Sequence, residues 1–95
     1  MFIGICKINL YFSNSHSLKD KRNILKSIKT RIRNHYNVSV AEIDNHDFWK
    51  NAILGVVCIG NDKKYLNKIL NEIILFLEKQ NESQLINYEI SITLR

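Results

Sequence analysis

Five cations recur at spacings of three and four residues: Lys19, Arg22, Lys26, Lys29 and Arg33. At about 100° per residue they fall within an arc of roughly 80° on one helix. A stripe of that kind suits the phosphates of a polyanion. It does not serve the helix itself, because cations in the first turn (Lys19, Lys21, Arg22) oppose the positive end of the helix dipole. Residues 18–33 hold seven Lys and Arg against one Asp, whereas the rest of the chain is nearly neutral. Just before the stripe, Ser15, His16 and Ser17 lead into the helix N-terminus, where unpaired N–H groups attract anions. These three are the candidate anion-binding residues. Single-stranded RNA also calls for aromatic stacking partners. Trp49 is the first candidate, with Tyr36, Tyr11 and Phe48 as alternatives. The nucleic-acid-binding set is therefore Lys19, Lys21, Arg22, Lys26, Lys29, Arg33 and Trp49.

Other chemistries find little support. Asp44, His46 and Asp47 crowd one turn, but turns collect Asp and Asn for backbone reasons, so no metal site is expected. His16 beside Ser15 and Ser17 is not a triad, because neighbours in a loop seldom reach triad geometry. Cys6 and Cys58 stand inside apolar runs, which points to buried free thiols rather than nucleophiles. The three glycines are isolated, so no phosphate-cradling loop is present. Acylphosphatases share the element order derived below, yet their glycine-rich, arginine-bearing first loop has no counterpart in Ser13–His16. The expectation is a protein that is not an enzyme and carries no cofactor. A small enzyme with its pocket at residues 15–22 stands as the third alternative.

The elements that must position these residues are readable from periodicity. Residues 2–12 alternate, with Gly4, Cys6, Ile8, Leu10 and Phe12 small or apolar, as in a half-buried strand. Ser17 is a suitable N-cap and Asp20 answers it three residues on, so a helix runs from there to about residue 34. Its buried face is Leu18, Leu25, Ile28 and Ile32, with Ile24 at the edge. Residues 38–45 and 49–59 form two further strands joined by a polar connection. Gly60, Asn61 and Asp62 end the third strand and cap a second helix reaching about residue 79. In the last strand Ile86, Tyr88, Ile90, Ile92 and Leu94 are expected to share one face. The order β-α-β-β-α-β defines an α+β, ferredoxin-like split βαβ fold: a four-stranded antiparallel sheet with two helices on one face. One domain over residues 1–95 is expected.

The bulk properties narrow the surroundings. Net charge is +5, with 45% hydrophobic and 24% charged residues, as in ordinary folded proteins. No run approaches the ~18 apolar residues of a membrane span. Residues 1–5 lack the marks of a signal peptide, so a cytoplasmic location is expected. There is more apolar surface than two helices can cover, including Ile3 and Ile5 on the odd face of the first strand. Homo-oligomerisation or protein binding through the open sheet face is therefore the alternative function.

Several segments together resemble the YlxP-like family of small bacterial proteins, a domain of unknown function. They are His16-Ser17-Leu18-Lys19-Asp20-Lys21-Arg22, Asn37-Val38-Ser39-Val40-Ala41-Glu42, Asp44 with Asp47 and Trp49, and Leu54-Gly55-Val56. The resemblance covers essentially the whole chain and implies a ferredoxin-like fold. Family genes often neighbour those for transcription-termination, translation-initiation and ribosome-maturation factors. That implies RNA or the ribosome as the partner and assigns no role to any residue.

Overall fold

A computed structural model describes all of residues 1–95. The elements are β1 (Phe2–Tyr11), α1 (Leu18–His35), β2 (Ser39–Asp44), β3 (Asn51–Gly60), α2 (Lys63–Lys79) and β4 (Gln84–Leu94). The strands form one antiparallel sheet in the order β2-β3-β1-β4, the ferredoxin-like arrangement expected. β1 and β3 lie at the centre, and β2 and β4 form the edges.

Each helix starts where the side-chain chemistry dictates. Ser17 Oγ accepts the Asp20 N–H at 3.0 Å, and the Asp20 carboxylate accepts the His16 N–H at 3.0 Å. This is a capping box displaced by one residue, since the carboxylate reaches past the cap to His16. Asp62 caps α2 by accepting the Lys64 N–H. At the C-terminus of α1 the Tyr36 N–H donates to the Ile32 carbonyl.

The core lies between the helices and the sheet face made by the even residues of β1 and β3. Ile8, Leu10, Ala52, Leu54 and Val56 are fully enclosed there, as are Ile28 of α1 and Leu70, Ile73 and Leu77 of α2. Gly4 is required by close approach. A Cβ at that position would stand 2.9 Å from Cys58 Sγ and 3.0 Å from Leu70 Cδ1, leaving no room for a larger residue.

The face expected for β4 needs correcting. Tyr88, Ile90, Ile92 and Leu94 do pair with Ile8, Cys6, Gly4 and Phe2 on the helix side. Between Asn9 and Leu10 the register shifts, so Leu85 pairs with Leu10 and Ile86 is left over. Leu85 packs on the core and Ile86 is half exposed. A bulge inserts one unpaired residue and inverts the alternation beyond it, which the strand's own pattern does not announce. A second bulge, between Glu42 and Asp44 of β2, sets Asp44 opposite Ile53 and leaves Ile43 unpaired, its side chain over Gly55 on the open face.

Candidate nucleic-acid interface

The stripe on α1 forms as expected, but its place is specific. Lys19, Arg22, Lys26 and Arg33 are exposed and Lys29 is half-buried. The stripe is centred about 100° around the helix from the buried face, on the flank above edge strand β2. Arg33 marks that flank, because its Nη2 donates to the Val40 carbonyl of β2 at 2.8 Å. Arg31 belongs to the other flank. It pairs with Glu82 and lies over the Phe76 ring of α2, 5.3 Å from its centroid. The chain makes two ion pairs, Lys21–Glu42 and Arg31–Glu82. The five stripe cations have no carboxylate partner.

Lys21 leaves the phosphate-binding set. Its side chain is completely buried, and its ammonium donates to the Glu42 carboxylate at 2.9 Å and the Asn45 carbonyl at 2.8 Å. The Asn51 and His46 carbonyls lie at 3.2 and 3.3 Å. Three N–H donors facing four acceptors leave nothing for a ligand. The reason is positional: Lys21 precedes Leu25, Ile28 and Ile32 by four, seven and eleven residues, so it is the first member of the buried stripe. What the ammonium does is pin the segment between β2 and β3 against the first turns of α1, beside Arg22. Asn51 extends the clamp by donating to Asn9 Oδ1 and the Leu10 carbonyl, and it also accepts from Asn45 Nδ2. Asn45 adopts φ 64°, a left-handed conformation that Asn tolerates.

The anion pocket at the N-terminus of α1 is not formed. Ser15 is fully buried and its hydroxyl donates to the Ser17 carbonyl at 3.0 Å. The Ser17 hydroxyl is the cap, and the His16 N–H is spent on Asp20. A carboxylate therefore stands where a phosphate would have to bind.

The segment clamped by Lys21 carries the exposed aromatics. Phe48 and Trp49 are 58% and 46% exposed, far more than packing at a strand entry would leave. Lys50 Nζ lies 5.7 Å from the Trp49 ring centroid and donates to the Ser13 carbonyl at 3.2 Å. Asp47, Phe48, Trp49, Lys50 and Asn51 line a shallow recess of about 310 Å³. Lys50 is the residue that sequence reasoning left out of the site; its adjacency to Trp49 was the available signal. Tyr36 is withdrawn from the stacking candidates, since it packs on the core at the far end of α1. Burial, with Glu72 beside it, pushes its phenol above the usual range. Asp44, His46 and Asp47 do not converge on a metal: Asp44 accepts the Asn45 N–H, and a His46 ring nitrogen sits 3.1 Å from the Glu42 carbonyl.

Both cysteines are free and buried. Burial, then Cys58 and Glu89, push the Cys6 thiol from 9.0 up to about 11, and burial raises Cys58 as well. A raised acid favours folding while it stays protonated. The stability from Cys6 is thus intact below about pH 9 and lost as pH climbs toward about 11. The loss is on the order of 3 kcal/mol. Urea midpoints should therefore fall across that window, and less steeply in Cys6→Ala. Equal slopes would show that the thiol ionises without cost.

A ferredoxin-like α+β domain with an unpartnered basic helix flank and an exposed aromatic loop is the class of protein defined here. Residues 3–90 match the model of a family described as "Protein of unknown function (DUF503)". The chain is also 32% identical over 76 residues to "Uncharacterized protein YlxP" of Bacillus subtilis (strain 168), covering 80% of this chain and 83% of that one. The chain belongs to the DUF503 family, in agreement with the resemblance read from its segments.

Proposed function

We propose that the protein is a non-enzymatic RNA- or ribosome-associated module that grips phosphates along the flank of α1. The observation carrying this reading is that Lys19, Arg22, Lys26, Lys29 and Arg33 share one flank with no carboxylate to neutralise any of them. A solvated helix face gains from interspersed opposite charges at i, i+4, and this one has none there. Each phosphate contact releases a counterion, so five contacts give a substantial, sequence-independent affinity. Trp49 and Phe48 supply planar surfaces on which bases stack, on a segment that Lys21 ties to the first turns of α1.

The sheet is not the RNA surface. The open face of β1 and β3 presents Ile3, Ile5, Val57 and Ile59 where a sheet-binding RNA module would show aromatics.

Trp49 is the only tryptophan, so its fluorescence reports on the loop directly. Titration with single-stranded RNA is expected to quench it. Trp49→Ala is expected to weaken single-strand binding by about 5- to 150-fold, the 1–3 kcal/mol of one stacked base, without changing the salt slope. Unchanged fluorescence at saturation, together with full affinity in Trp49→Ala, would remove the loop from the interface.

A further inference from the structure

We infer that the open sheet face is the interface of a twofold-symmetric homodimer, the two sheets packing face to face with the helices outside. An antiparallel sheet with one wet face normally alternates apolar and polar residues along each strand. Here β1 and β3 break that rule over half their length. Their outward residues Ile3, Ile5, Val57 and Ile59 pair directly, Ile3 with Ile59 and Ile5 with Val57. Ile43, on the open face by alternation with Ala41, extends the patch over Gly55. Ile59 is 62% exposed, Ile43 50%, Ile5 45% and Val57 43%. Such doubly apolar strands are those of a sheet buried on both faces.

Charge and area both point to a second copy as the occupant. Midway along the strands Lys7 of β1 stands directly opposite Glu89 of edge strand β4, one cation beside one anion. That pair leaves the face neutral, with nothing to attract a polyanion or a strongly basic partner. A neutral, largely apolar face meets a second copy of itself without net repulsion, although the chain as a whole carries +5. The recess of about 410 Å³ around Lys7, Asn9, Ile53 and Glu89 gives side chains of the other sheet a place to enter. Three strands spaced ~4.8 Å apart, with ten paired residues rising ~3.3 Å each, and the shorter β2 beside them give a flat footprint of roughly 550 Å². The accessible area of the side chains on it exceeds that flat footprint and approaches the ~800 Å² per partner of a stable interface. The inference is independent of RNA binding, although such a dimer would carry its two basic helices on opposite outer surfaces.

Sedimentation velocity without nucleic acid tests it. At high micromolar concentration the protein should run as a dimer of about 22 kDa, twice the 11.2 kDa chain, with little response to salt. Val57→Lys, at a position already half exposed, should run as a monomer with an unchanged circular dichroism spectrum. Lys7→Glu and Glu89→Lys should each lose the dimer alone and regain it when mixed, since only the mixture brings opposite charges across the interface. Wild type sedimenting at 11.2 kDa throughout, or Val57→Lys remaining dimeric, would overturn the inference.

Discussion

Lys21→Ala is expected to destabilise the domain by about 3–5 kcal/mol, the usual effect of removing one partner from a buried ion pair. The loss is large because three things go together. Glu42, 13% exposed, keeps its charge with no counterion. The carbonyls of Asn45, His46 and Asn51 lose their donor where water enters poorly. The four-carbon stem, packed in line with Leu25 and Ile28, leaves a cavity. A small domain has only about 5–15 kcal/mol in hand, and at ~4–8 °C per kcal/mol the melting temperature should fall by at least ~12 °C. Lys21→Met with Glu42→Leu should recover part of this loss, because the uncompensated carboxylate goes but the three carbonyls stay unpaired. Thermal denaturation of the three proteins decides the matter. A change below ~1 kcal/mol for Lys21→Ala would mean that the loop is held by something other than this ammonium.

The second large effect concerns binding. Lys26→Glu with Lys29→Glu removes two of five contacts and sets two carboxylates among the remaining cations. RNA affinity at low salt is expected to fall by ~100-fold or more. The log–log salt slope should flatten from about −3.5 to about −2 on a single strand, whatever its sequence. Neither residue belongs to the core, so the fold should survive, and circular dichroism checks that. Normal binding by the double variant would place the contact elsewhere.

Much of the architecture was legible because β1 and the two helices carry strong periodic signals. The alternation Cys6, Ile8, Leu10 and the spacing Leu66, Ile69, Leu70, Ile73, Leu77 each admit one element type, and Ser17 and Asp62 mark the helix starts. Pairing was less legible. Ile86 looks like one more residue of a regular alternation, and only the opposing Asn9–Leu10 step shows that it is skipped. The site divided along similar lines. The cation stripe is a local spacing and was readable. The burial of Lys21 depends on what folds over it from Glu42 and Asn45, distant in sequence. A lysine counts as solvated by type, so its match to the Leu25–Ile28–Ile32 spacing was outweighed. Lys21 thereby changes from a presumed ligand to the residue that ties the aromatic loop to the first turns of α1.

The basic flank of α1 as a phosphate-binding surface is tested most directly by fluorescence anisotropy of a labelled ribosomal RNA fragment titrated with the protein from 50 to 200 mM salt. Saturable binding that weakens by roughly 100-fold across that range is the predicted result, the signature of five released counterions. No saturable binding at the lowest salt, or an affinity indifferent to salt, would contradict it and leave the helix flank a solvated surface.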